Sequence, residues 1–281
     1  MLDEQIDATA NCMRQVFEPR NSERNLDSGL VVYLDAEFNL SRTRKVGSRK
    51  YVTVWLKHPF LSYSLAWEDK VARIGPMLSP RKIGSWNLKR LLGWILRCLR
   101  RWRAPAKKRI TIVAHWAISE VRFARGIEEE DIFAPSTHFF RGHLKQSGVD
   151  WWIKDSFGIF GTSLAKLTED TPYPKFKITQ AEREDPYLHW RRRRKHFWKY
   201  AEGDVRSLQW STKFWRARIW ETYGVDVLKC LTTATIGKGF FRRNIRGWNR
   251  WNPTSRSLSR RNPVSQRLSI TLIRTSGKFG V

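Results

Sequence analysis

The sequence has few acidic residues for its length. Its 281 residues include 26 Asp or Glu against 53 Lys or Arg, which gives a formal net charge of +27. Such a chain repels itself unless a polyanion neutralises it. The charge therefore predicts nucleic acid as the leading partner and an anionic membrane surface as the second. It excludes an acidic disordered protein and selects no activity.

Cysteine is scarce, and long apolar runs are absent. Cys12, Cys98 and Cys230 have none of the spacings of a disulfide framework or a cysteine zinc site, which predicts reduced thiols. The longest apolar stretch, residues 91–99, contains an arginine and is too short to span a bilayer. The acidic first thirty residues do not resemble a secretory signal. We therefore expect an intracellular protein, cytoplasmic or organellar, that is not secreted and has no membrane partner.

Strand-like and helix-like segments alternate from Leu30 to about Trp220, which predicts an α/β domain. We expect a mixed five-stranded sheet flanked by helices, and the first three strands should form an antiparallel meander. The predicted strands are residues 31–38, 51–56, 61–67, 109–114 and 150–155. The main predicted helices are residues 85–103, with Ser85 as a candidate N-cap, 118–125 and 196–223.

Composition divides the chain into three parts. Residues 1–27 form an N-terminal extension, residues 28–224 the predicted domain and residues 225–281 a basic tail. No acidic residue follows Asp226, whereas twelve Lys or Arg do. The tail can bury little apolar surface, so we expect it to be flexible until it meets a polyanion.

Two carboxylates stand at the end of the first predicted strand. Asp35 and Glu37 are two residues apart, so their side chains point to the same face. Carboxylates packed together are costly unless a cation lies between them, and Mg²⁺ takes oxygen ligands. The pair is thus a candidate metal site. The alternative is a strand end that turns into solvent.

A second pair lies on the last predicted helix. Tyr200 and Asp204 are four residues apart, so they share a helix face. Asp204 could complete a metal site while the Tyr200 hydroxyl orients a water. A half-buried tyrosine beside a solvated aspartate is the alternative.

Together these motifs resemble the DEDD exonuclease superfamily in its tyrosine-containing branch. That branch includes RNase D-like enzymes and the proofreading domains of family A and family B DNA polymerases. Its first motif is matched by Asp35 and Glu37, and its third by Tyr200 and Asp204 with Val205 and Leu208 following. The resemblance spans residues 28–224 and implies a ribonuclease H-like (DnaQ-like) fold.

The second motif departs from the family pattern. Ala114 and His115 follow a predicted strand as in the family, but Trp116 replaces a polar residue and Glu120 stands where aspartate is expected. The extra methylene would shift a ligand oxygen by ~1 Å, an error that can cost of order 10²-fold in rate. Weak activity, or none, is therefore the alternative.

The resemblance implies a mechanism and a set of site residues. Two Mg²⁺ or Mn²⁺ ions would be held by Asp35, Glu37, Glu120 and Asp204, with Tyr200 positioning the attacking water. Phe38 would wedge against the terminal base. The family position of His115 is structural or contacts substrate.

A basic segment precedes the third motif. It contains Arg191, Arg192, Arg193, Arg194 and Lys195 between aromatic residues. Bases stack on aromatic faces while cations follow the phosphates, so this segment could guide a single strand. The alternative is that Trp198 packs in the core and the arginines are solvated.

Other segments resemble organellar, plasmid and phage family B polymerases. Asp155 with residues 163–167 resembles their elements between the second and third motifs, and residues 223–241 resemble their linker to the polymerising palm. We expect a 3′–5′ exonuclease acting on single-stranded or frayed DNA, with a polymerase module or replication protein as a candidate partner. The tail would be the start of a truncated polymerase region. The alternatives are an RNase D-like enzyme that trims RNA and a catalytically silent nucleic-acid-binding protein.

Overall fold

The strands form one mixed sheet. The computed structural model describes residues 29–46, 50–117, 132–136, 139–169, 171 and 174–244. Seven strands lie within them: β1 (Leu30–Val46), β2 (Lys50–Trp67), β3 (Lys70–Met77), β4 (Arg109–Ala114), β5 (Ile132–Ser136), β6 (Phe139–Gln146) and β7 (Val149–Asp155). Their order across the sheet is β3-β2-β1-β4-β7-β6-β5. Strands β1, β4 and β7 are parallel, and the other pairings are antiparallel.

The α/β class, the mixed sheet and its flanking helices are confirmed, but the number of strands is not five. Residues 51–56 and 61–67 belong to a single strand, β2, which continues through Pro59. The pairing of β1 with β2 shifts register between Asn39 and Ser41, opposite this part of β2. A proline lacks the N–H that a regular ladder needs, and an irregularity in the ladder accommodates it. Strands β3, β5 and β6 were not predicted.

Helices cover both faces of the sheet. They are α1 (Pro80–Gly84), α2 (Leu88–Arg101), α3 (Ser156–Phe160), α4 (Leu164–Leu167), α5 (Gln180–Glu184), α6 (Pro186–Arg192), α7 (Arg194–Tyr223) and α8 (Thr233–Asn244), with a 3₁₀ turn at Val227–Lys229. Helix α2 has the predicted amphipathic face. Its N-cap is Asn87, whose side chain accepts a hydrogen bond from the Arg90 N–H, and not Ser85.

Alternation along β1 divides its side chains between two cores. Val32 and Leu34 are buried on the α2 side, whereas Tyr33 is buried on the other side with Val205 and Leu208 of α7. Asp35 and Glu37 are in phase with Tyr33, because successive strand residues point to opposite faces. The strand thus presents both carboxylates toward α7.

The first compact unit extends to Ile236. Val227 and Leu228 are buried in the same core as Tyr33. The Arg216 guanidinium donates two hydrogen bonds of 2.8 Å to the Asp226 carboxylate. Residues 237–244 belong to a second unit. The predicted extension, residues 1–27, and residues 245–281 of the predicted tail lie outside the described residues.

Among the described residues, no helix combines the length and the hydropathy of a membrane span.

Candidate metal centre

A cleft of about 290 Å³ opens where the parallel pairing of β1, β4 and β7 ends. Leu34 of β1 lies beside Ala114 of β4, and Ala114 lies beside Asp155 of β7, so the parallel pairing of the three strands ends at one level. Helix α7 and the segment before α5 close the cleft. Its lining residues are Asp35, Ala36, Glu37, Phe38, His115, Trp116, Leu164, Lys175, Tyr200 and Asp204.

Three carboxylates meet in this cleft. Asp35, Glu37 and Asp204 each offer an oxygen, and these oxygens lie within 4.8 Å of one another. Asp35 Oδ2 and Asp204 Oδ1 are buried and have no hydrogen-bond partner among the described residues. Buried oxygens without donors are costly, and a divalent cation that takes oxygen ligands would satisfy them. The donor set therefore fits a metal ion that is bound through oxygen atoms.

The pKa values of the three carboxyl groups also favour a cation in the cleft. Burial and the nearby charge of Asp204 raise the pKa of Asp35 from 3.8 to about 7, although Lys175 lowers it. Burial, Asp35 and Asp204 raise the pKa of Glu37 well above its ordinary value. Burial also raises the pKa of Asp204, and Lys175 opposes that rise. Burial and mutual repulsion thus oppose ionisation of all three carboxyl groups together, and added positive charge would favour it.

Lys175 is a site residue that sequence reasoning missed. Its Nζ donates a hydrogen bond of 2.8 Å to Asp204 Oδ2. The backbone N–H of Lys175 donates to Thr168 Oγ1, which fixes the segment before α5. A Cβ at Gly203 would lie 3.3 Å from the Phe176 Cβ, so the glycine lets this segment approach α7 closely. No motif or spacing in the sequence marks this lysine.

Tyr200 lies one helical turn before Asp204, as the spacing predicted. Its side chain is buried, and its hydroxyl faces the carboxylates of Glu37 and Asp204. Burial and the negative charge of these carboxylates raise the pKa of the phenol above its ordinary value. The hydroxyl therefore keeps its proton and acts as a hydrogen-bond donor.

His115 follows β4 on the wall of the cleft. Its Nδ1 lies 2.9 Å from Ser156 Oγ. Burial, together with the Lys175 charge, lowers the pKa of the imidazole to about 4. The ring is therefore neutral at physiological pH and is suited to hydrogen bonding rather than to ion pairing.

Trp116 and Phe38 supply aromatic surface at the cleft. Trp116 is 41% exposed and has a φ of 61°. The backbone N–H of Trp116 donates a hydrogen bond to Asp155 Oδ1, which also accepts one from the backbone N–H of Phe157. The Trp116 and Phe157 ring centroids are 5.0 Å apart. The buried Asp155 therefore holds the turn that presents Trp116 to solvent.

The remaining predicted site residues do not line the cleft. Residues 191–195 are exposed at the junction of α6 and α7, where Arg193 pairs with Glu182 and Arg194 lies over the Trp190 ring. Trp198 packs against the aromatic cluster of Phe60 and Phe197. The predicted ligand Glu120 lies outside the described residues. The structure thus brings together Asp35, Glu37, Phe38, His115, Trp116, Tyr200 and Asp204.

Comparisons with protein-family models, with curated proteins and with solved structures find no match for this chain. The interpretation of the cleft therefore depends on its own residues.

We expect the metal-free protein to lose stability as the pH rises from about 4 to about 7. The pKa of Asp35 is higher in the folded chain, about 7, than its ordinary 3.8, so the folded state holds a proton that it must release. The stability that this proton contributes is fully present below pH 3.8 and is lost as the pH passes 7. The Asp35→Asn variant should reduce the fall by about 1 kcal/mol or more. The measurement is urea unfolding in chelator at each pH.

An exposed aspartate provides the matched control for this experiment. Asp69→Asn lies outside the cleft and should leave the wild-type pH dependence unchanged. An equal fall in wild type and Asp35→Asn would contradict the carboxylate repulsion described above.

Proposed function

We propose that this chain is a metal-dependent 3′–5′ exonuclease that hydrolyses single-stranded or frayed DNA. The observation that carries the proposal is the convergence of Asp35, Glu37 and Asp204 within 4.8 Å, beside the Tyr200 hydroxyl. Simple nucleic-acid binding requires no such cluster, because carboxylates repel phosphates. A hydrolytic site that uses divalent ions does require one.

The fold and the charge support the same proposal. Without the β5–β6 pair, the sheet has three antiparallel strands followed by two parallel ones, the order expected of the ribonuclease H-like class. The net charge of +27 suits a polyanionic substrate. Together with the motif spacing, these features support kinship with the proofreading exonucleases of family B polymerases. A polymerase or replication protein is then the proposed partner.

The residues of the cleft have distinct roles in this mechanism. Asp35, Glu37 and Asp204 would hold the Mg²⁺ or Mn²⁺ ions, which when bound offset the negative charge that develops on the scissile phosphate and the leaving 3′-oxygen. The Tyr200 hydroxyl keeps its proton and orients the attacking water by donating a hydrogen bond. Lys175 Nζ neutralises Asp204 in the structure described here and would pair with substrate phosphate once released.

Aromatic side chains would position the 3′ end of the DNA strand in the cleft. Trp116 and Phe38 border the carboxylates, so bases stacked on their rings would bring the terminal phosphodiester into the cleft. Such stacking is tolerant of sequence, as a proofreading or trimming enzyme needs. RNA bases would stack equally well. The test therefore also uses RNA as a substrate, which detects an RNase D-like activity.

We expect metal-dependent shortening of single-stranded DNA from its 3′ end. DNA labelled at the 5′ end, with its 3′ end free or blocked, would be incubated with Mg²⁺, Mn²⁺ or chelator. Only the free 3′ end should be shortened, and only with metal. Asp204→Asn should lower the rate by at least about 100-fold with little change in DNA affinity, because it removes a metal ligand and no phosphate contact.

Glu202→Gln is the matched control for this assay. Glu202 lies on the same helix, but its side chain is 40% exposed and pairs with Arg206. Its variant should keep full activity. Cleavage in chelator, or an unchanged rate in Asp204→Asn, would contradict the proposal. Tight binding without shortening of either DNA or RNA would instead identify a catalytically silent binding protein.

We also expect Trp116→Asn to weaken binding of single-stranded DNA roughly tenfold, because one stacking contact is lost. Asparagine tolerates a positive φ, so the turn should be preserved. Binding would be followed by fluorescence anisotropy in chelator. Tyr223→Ser is the control, since Tyr223 is similarly exposed but lies about 34 Å along α7 from Tyr200. Equal affinities of Trp116→Asn and wild type would exclude Trp116 as a stacking surface.

A further inference from the structure

A second group of potential metal ligands lies where α5, α6 and α7 meet. Each helix contributes one residue: Glu182 from α5, His189 from α6 and His196 from α7. His189 Nε2 is 2.8 Å from His196 Nδ1. Glu182 Oε1 is 3.6 Å from His189 Nε2 and 3.7 Å from His196 Nδ1. The three atoms therefore form a compact triangle.

The size of this triangle matches a transition-metal site. Zinc binds imidazole nitrogens and carboxylate oxygens at ~2.0–2.2 Å in tetrahedral geometry, which separates neighbouring ligand atoms by about 3.4 Å. The separations of 2.8, 3.6 and 3.7 Å between the three ligand atoms lie on either side of that value. An ion could bind after small side-chain rotations, with water as the fourth ligand. Two imidazoles and one carboxylate favour Zn²⁺ over Mg²⁺, which prefers oxygen ligands alone.

The local chain geometry explains how three residues spaced by seven come together. Asp185 ends α5 and caps α6 by accepting a hydrogen bond from the Leu188 N–H. Arg193 then separates α6 from α7, with a non-helical φ of −134°. The chain thus turns twice between Glu182 and His196. The side chain of His189 is 1% exposed, which fixes one ligand in the protein interior.

We propose that Glu182, His189 and His196 form a binding site for Zn²⁺ or a similar transition-metal ion, separate from the carboxylate cleft. None of the three residues lines that cleft. His189 and His196 flank the basic segment, so a bound ion would fix both ends of residues 191–195. Helices α5 and α6 have five and seven residues, too few to be stable alone, so an ion would hold them against α7.

The site also contacts the tyrosine of the cleft. The His189 and Tyr200 ring centroids are 6.2 Å apart, and the Phe176 ring touches both His196, at 5.4 Å, and Tyr200, at 6.5 Å. Zinc binding would therefore order the helix segment that carries Tyr200. The site is independent of the proposed hydrolysis, because its ligands and its metal preference both differ.

Arg193 competes for one ligand of this site. Its guanidinium donates a hydrogen bond of 2.8 Å to Glu182 Oε1, and its side chain is 58% exposed. The arginine can turn into solvent when an ion binds. Arg193→Gln should therefore bind Zn²⁺ more tightly than wild type, whereas loss of a merely structural ion pair would not raise the affinity for metal.

The test is a Zn²⁺ titration of the full chain in competition with a chromophoric chelator. We expect one Zn²⁺ to remain bound in the Asp204→Asn variant, in which the carboxylate cleft is disabled. In that background, Glu182→Gln and His196→Gln should each weaken binding at least about tenfold. His143→Gln is the matched control, since His143 pairs with Asp150 but belongs to no three-ligand group of the described residues. It should bind Zn²⁺ like its parent.

Hydrogen exchange makes the test independent of any loss of folding. Zn²⁺ should slow exchange of residues 180–200 in the wild type and the His143→Gln variant, but not in His196→Gln. Absence of Zn²⁺ binding by the Asp204→Asn protein, or equal affinity in His196→Gln, would overturn the proposal. Neither result would bear on the exonuclease assay, which needs only Mg²⁺ or Mn²⁺.

Discussion

Repulsion among three carboxylates, just past the point where the parallel pairing of β1 ends, is the constraint on which the site depends. Asp35 and Glu37 share a face of β1, and α7 brings Asp204 within 4.8 Å of both. Lys175 offsets part of the repulsion, and the pKa of Asp35 still rises to about 7. Such a cluster costs stability, and a bound cation would offset that cost.

The surrounding structure holds this cluster in place. Alternation along β1 points both carboxylates toward α7, and Gly203 lets the segment carrying Lys175 approach that helix. Asp155 fixes the turn that exposes Trp116 beside the cleft. The Glu182, His189 and His196 group lies behind Tyr200 and contacts it through aromatic rings. His196 of this group, Tyr200 and Asp204 thus share the first turns of α7.

Local periodicity explains how much of the site could be predicted. Strand alternation placed Asp35 beside Glu37, and helical spacing placed Tyr200 beside Asp204, so both pairs were visible in the sequence. Lys175 and the Glu182 group were not, because their contacts depend on turns between short helices that leave no periodic pattern. The prediction of a five-stranded sheet was wrong. Residues 51–56 and 61–67 were predicted as two strands, yet Pro59 between them lies within one strand, opposite a register shift in β1.

The most direct test of this account is to locate divalent ions in the cleft. A crystal structure of the full chain grown with Mn²⁺ would show them by anomalous scattering. The account predicts anomalous peaks at ~2.2 Å from oxygens of Asp35, Glu37 and Asp204, with Lys175 Nζ displaced from Asp204. An intact Lys175–Asp204 ion pair and no peak beside the carboxylates at saturating Mn²⁺ would contradict it.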